Sequence, residues 1–97
     1  MINVLVTIEV LDFDHLTTFE SKAAEIMKDH GGQFISAFET LRNEDNTGRE
    51  IHLLEFPSES AFVGYRSDER LKDLADLRAK AIQSMDVVKS DRLKKYA

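Results

Sequence analysis

Arg78 is the residue of this chain best placed to do chemistry. On a helix turning about 100° per residue, Leu71, Leu74, Ala75, Leu77, Ala81 and Ile82 form one apolar arc, and Arg78 falls near its centre. A guanidinium keeps its proton in a protein interior, so it needs a partner there. Glu55, Glu9 and Glu39 are the carboxylates that neighbouring strands could offer for a structural ion pair. An anionic ligand held by the bidentate fork is a second reading. A stem packed on apolar surface with its head in water is a third.

Three further side chains fall near Arg78 in this reading. Glu55 stands between Leu54 and Phe56 in an apolar run. A carboxylate there either pairs with Arg78 or has a raised pKa suited to acid–base work. His52 is the one histidine expected to be buried, either as a hydrogen-bonded core residue, a general base or an axial haem ligand. Tyr65 shares the apolar side of a short helix with Ala61 and Phe62, so its hydroxyl lines a cleft or rests in the core. The candidate catalytic residues are therefore His52 and Glu55, and the candidate ligand-binding residues are Arg78, Tyr65 and His52. The histidines lie at 15, 30 and 52, spacings that match no compact metal motif. Neither a phosphate-binding glycine loop, a nucleophile elbow nor a dinucleotide fingerprint occurs. No metal and no cofactor is expected.

The elements that must position these residues are legible in the periodicity. Ile2 to Val10 alternates as a strand, with Val4, Val6, Ile8 and Val10 on one face and Leu5, Thr7 and Glu9 on the other. Asp12 to Asp14 offers N-cap chemistry, which the reading places on Asp14, for a helix from Asp14 to His30. Phe13, Leu16, Phe19, Ala23, Ile26 and Met27 give that helix its apolar stripe, and Gly31-Gly32 ends it. A second strand runs from Phe34 to Arg42, a polar loop from Asn43 to Gly48, and a third strand from Arg49 to Phe56. Pro57-Ser58 opens a short helix, Ser67-Asp68 interrupts it, a longer helix follows, and Asp86 to Ser90 gives a last strand.

The order β-α-β-β-α-β predicts an α+β, ferredoxin-like domain over residues 1–97, with a four-stranded antiparallel sheet and helices on one face. The other face carries Leu5, Thr7 and Glu9 with either Ile35, Ala37 and Glu39 or Phe34, Ser36 and Phe38. It is too apolar for water, which predicts a homodimer through this open face, a dimeric α/β barrel.

The composition is that of a folded domain, 42% hydrophobic and 32% charged. A net charge of -5 argues against nucleic acid as a partner. The basic cluster formed by Lys89, Arg92, Lys94 and Lys95 reads as a solvated tail. The chain has no cysteine, which leaves no disulfide framework, thiolate site or cysteine nucleophile. Its apolar N-terminus is interrupted by Thr7 and Glu9 and reads as a strand, not a signal peptide. No run is long enough for a membrane span, and a cytoplasmic location is expected.

The stretch Leu54-Glu55-Phe56-Pro57-Ser58, with Ala61, Tyr65-Arg66-Ser67 and Arg78-Ala79-Lys80-Ala81, resembles domain-of-unknown-function family 1330, within the dimeric α/β-barrel superfamily. Gly31-Gly32 adds to the likeness. It departs at Gly64, where the family has an aromatic, and at Ser67-Asp68-Glu69-Arg70, where the family reads Ser-Pro-Glu-Tyr. The resemblance implies the fold and the dimer, and no reaction. Two functional expectations follow. One is a protein that binds a small polar or anionic molecule in a cleft between sheet and helices. The other is a cofactor-independent enzyme of monooxygenase or isomerase type, with His52 or Glu55 as base near Arg78.

Overall fold

The computed structural model describes residues 1–97. Strand β1 spans Ile2–Val10, helix α1 Phe13–Asp29, β2 Gln33–Arg42, β3 Gly48–Phe56, α2 Glu59–Arg66, α3 Glu69–Lys72, α4 Ala75–Ala81 and β4 Ile82–Ser90. The four strands form one antiparallel sheet in the order β2-β3-β1-β4. This is the ferredoxin-like arrangement, with all helices on one face. No helix is long and apolar enough to cross a membrane.

β1 is central because its alternating face is β-branched throughout. Ile2, Val4, Val6, Ile8 and Val10 are all buried beneath the helices, each contributing about 1.5–3 kcal/mol on burial. α1 lays Phe13, Leu16, Phe19, Ala23, Ile26 and Met27 onto this surface. Its N-cap is Asp12, not Asp14: Asp12 Oδ1 accepts from the backbone N–H groups of Asp14 and His15 at 2.8 and 3.1 Å. Asp12 is the extended residue, as capping requires, whereas Asp14 is already helical. At the other end Gly31 takes φ +76, the left-handed conformation that favours glycine.

Three boundaries differ from the sequence expectation. The break at Ser67-Asp68 is the expected one, but a second at Asp73-Leu74 divides the longer helix, giving α2, α3 and α4. Ile82 closes no helix. It has φ -125 and ψ 123, and it opens β4 four residues before Asp86. In β2 the register shifts between Phe34 and Ser36, leaving Ile35 without a partner. This bulge changes the phase of the strand. Phe34 opposes Leu54 and turns toward the helices, while Ser36 and Phe38 oppose Leu53 and Ile51 on the open face. Neither alternation expected for β2 holds along its whole length.

The open face carries Leu5, Phe38 and Val88, 39%, 50% and 61% exposed, together with half-buried Ile51 and Leu53. The molecule is 17 Å deep along its shortest axis, one sheet and one helical layer, so nothing of its own covers this surface.

Candidate functional site

The three helical pieces of the second crossover do not fill the space above the sheet. They leave a cavity of about 290 Å³ between α1, α2, α3, α4 and the helix-side face of the sheet. Most of its wall is apolar: Val6 and Ile8 from β1, Leu54 from β3, Met85 and Val87 from β4, Phe19 and Met27 from α1, Phe62 from α2 and Leu71 from α3. Its polar wall consists of Glu20, His52, Tyr65, Arg66, Lys72 and Arg78. Arg78, Tyr65 and His52, singled out separately in the sequence, therefore meet around one space.

Arg78 reaches it from α4 but is not enclosed. The residue is exposed, and its Nη2 donates to Met85 Sδ at 3.2 Å. α4 explains this, since Leu74 and Leu77 are only half-buried and of this short helix only Ala81 is fully covered. None of the proposed carboxylate partners is near it. Glu9 binds Arg49 at 2.7 Å, Glu39 binds Arg42 at 2.6 Å, and Glu55 accepts from Gln33 at 3.1 Å. Glu55 alternates with buried Leu54 and Phe56 and so faces the open side of the sheet. Glu55 and His52, three residues apart, lie on opposite faces. An ion pair of Arg78 with Glu55 does not form, and Glu55 cannot act beside Arg78. The guanidinium sits at the cavity rim, exposed, with Met85 Sδ as its hydrogen-bond partner.

His52 is 3% exposed. Its Nε2 lies 2.5 Å from Glu50 Oε2, and its ring meets Phe34 edge-on at 5.1 Å. An ionised carboxylate only accepts, so Nε2–H is the donor to Glu50. Nδ1 points toward Glu20, whose Oε2 is 3.9 Å away. Tyr65, buried on α2, packs against Phe56 at 5.6 Å. Its phenol is pushed up first by burial and then by the charge of Glu20.

Glu20 is the residue that sequence reasoning missed. It stands four residues after Leu16, three before Ala23 and seven before Met27, on the buried stripe of α1. That spacing was the available signal. Burial raises its carboxyl from 4.5 to about 7; His52 and Arg78 pull it down and Glu50 pushes it up. The arrangement can hold a small molecule with an apolar body, fix an anionic group at Arg78 and exchange a proton at Glu20.

The other histidines lie elsewhere. His15 sits beside Asp12 in the first turn of α1, and His30 Nε2 meets Asp68 Oδ2 at 2.8 Å. No group of three or more His, Cys, Asp or Glu residues could hold a metal ion. Gly64, the departure from the family pattern, does not line the cavity. A Cβ there would come within 3.2 Å of His30 Nδ1, so glycine makes room for the seam between α1 and α2.

A family model described as Domain of unknown function (DUF1330) matches residues 3–97. Among solved structures, a protein of unknown function from Rhodopseudomonas palustris superposes with a TM-score of 0.77 at 15% identity, covering 97% of this chain and 83% of its own. A protein from Agrobacterium tumefaciens gives 0.69 at 17% identity, covering 97% and 95%. SnoaB, a cofactor-independent oxygenase from Streptomyces nogalater, gives 0.70 at 7% identity, covering 97% and 94%. At these identities the likeness is one of fold. No curated protein matches the chain by sequence.

Proposed function

This chain belongs to the DUF1330 family, and on that footing we propose that it binds a small polar or anionic molecule in the cleft between sheet and helices. The observation that carries the reading is Arg78, a guanidinium without a carboxylate partner at the rim of an apolar cavity. At about 290 Å³ the cavity sits at the small end of ligand pockets, about 300–1,000 Å³. The ligand then has an apolar body the size of one ring or a short branched chain, and a carboxylate or similar group for Arg78. Tyr65 and His52 form the wall around it.

The test is ligand-induced thermal stabilisation with a panel of small aryl and alkyl carboxylates. A ligand at a hundred times its Kd adds about 2.7 kcal/mol, a rise of roughly 10 °C or more for a domain of this size. Arg78→Met keeps the stem and removes the fork. Its own Tm should stay close to that of the wild type while the ligand-induced rise disappears. A rise that persists in Arg78→Met would sink the reading.

A second reading, a cofactor-independent enzyme, is favoured by the Glu20–His52 contact in the cavity wall. The fold neighbour SnoaB is itself described as a cofactor-independent oxygenase. Of the two bases considered from sequence, His52 reaches the cavity and Glu55 does not. The partner in either case is a second copy of the chain, seated on the open face through Leu5, Phe38, Ile51, Leu53 and Val88. Four strands of about nine residues span roughly 19 by 30 Å, a scale compatible with a standard interface of about 800 Å² per partner.

A further inference from the structure

Glu20 is the one carboxylate in the wall of the cavity. It also lines a second, more open groove between α1, β2 and β3, which it shares with His52 and Glu50. Glu50, His52 and Glu20 therefore form a continuous line, 2.5 Å across the first contact and 3.9 Å across the second. The line runs from the outer groove into the inner cavity. Glu20 is a half-buried carboxyl on the apolar stripe of its helix, 20% exposed and held by no lysine or arginine ion pair.

We propose that Glu20 is the acid–base residue of a redox-neutral proton transfer, acting on a small carbon acid whose carbonyl lies next to an anionic group. The inference rests on the binding reading above and adds a reaction and a substrate class to it. Ionised Glu20 takes the proton from the carbon beside the carbonyl. The C–H electron pair becomes the C=C bond of an enolate, and the charge moves to the carbonyl oxygen. A 2-oxo acid presents this oxygen and a carboxylate oxygen side by side, and the fork of Arg78 spans both. Protonated Glu20 then returns the proton to the carbon or to the oxygen, so atoms balance and no electron leaves.

The surroundings suit both halves of the step. His52 and Glu50 face Glu20 from β3, Tyr65 from α2, Arg78 from α4, and Lys72 lines the same space from α3. With its carboxyl near 7, Glu20 is present in both forms at neutral pH, as a group that accepts and returns a proton must be. His52 and Glu50 are positioning residues. Nε2–H donated to Glu50 fixes the ring and keeps its Nδ1 side toward Glu20, 3.9 Å away.

Phenylpyruvate is a suitable probe, with a ring for the apolar wall, a carboxylate for Arg78 and acidic hydrogens on C3. Loss of its C3 proton signal in D2O, followed by NMR, reads proton transfer; the thermal shift it induces reads binding. The wild type should accelerate exchange over buffer, with a pH midpoint near that of Glu20. Glu20→Gln should keep the thermal shift and lose at least about 10²-fold of the acceleration. His52→Asn should move the midpoint up and Glu50→Gln should move it down, opposite displacements that a merely structural role would not produce. Binding without acceleration by the wild type, or full acceleration by Glu20→Gln, overturns the proton-transfer inference and leaves the binding reading standing. If the probe fails to shift the wild-type Tm and exchange is unaccelerated, the binding reading fails for this ligand class and the inference falls with it.

Discussion

Replacing Glu20 with Gln should stabilise the protein at pH 8 and change its stability little at pH 4. The carboxyl titrates near 4.5 in the unfolded chain and about 7 in the folded one, chiefly because burial disfavours its charge. Between those values the folded state holds a proton that the unfolded state has released. Stability therefore falls as pH rises through that window, and the favourable term is fully present only below about 4.5. At about 1.4 kcal/mol per pKa unit the loss by pH 8 reaches about 3 kcal/mol. The side chain is still 20% exposed, which makes that figure an upper bound and about 2 kcal/mol a reasonable expectation. The amide has the shape of the protonated carboxyl and never ionises, so the variant escapes the loss. Urea unfolding of both proteins at pH 4, 6 and 8, at one fixed concentration, isolates Glu20 and the groups coupled to it, because the remaining titrations cancel in the difference. A difference that is flat with pH, or a variant less stable at pH 8, would refute the desolvation argument.

The open face supplies a second test: Phe38→Glu should convert a wild-type dimer to a monomer in light scattering, and a wild type that is already monomeric at micromolar concentration would remove the interface. Packing supplies a third. A Cβ on Gly32 would come within 2.4 Å of Phe56 Cε1 and 2.6 Å of Met27 Cγ, so Gly32→Ala should cost about 1–3 kcal/mol in urea unfolding. An unchanged midpoint would mean that the turn after α1 is looser than its contacts imply.

The architecture was legible in the sequence because its signals agree. Four alternating valines and isoleucines in β1, the stripe from Phe13 to Met27 and the Gly31-Gly32 stop each point to one element, and together to one order of elements. The places where structure departs from the sequence pattern have definite causes. Ala81-Ile82 continues the apolar spacing of α4, and only the backbone shows that Ile82 is extended. The bulge at Ile35 leaves no mark in a strand rich in apolar residues, so the facing of Phe34 and Phe38 could not be read from alternation alone. Arg78 shares a helix side with Leu71, Leu74 and Ala75 in the spacing, but that side is left exposed at Arg78 because the helix breaks again at Asp73-Leu74. Glu20 went unnoticed because a charged residue beside Phe19 reads as solvated unless its spacing from Leu16, Ala23 and Met27 is also weighed.

The cavity and its arginine are the centre of the account, and a crystal structure of the wild type soaked with small aryl carboxylates tests them most directly. Density is expected between α1, α4 and the sheet, with the carboxylate oxygens about 2.7–3.2 Å from Arg78 nitrogens and the ring among Val6, Leu54 and Met85. Carboxylates bound only elsewhere, or a cavity closed by α3 and α4 with Arg78 turned into solvent, would contradict it.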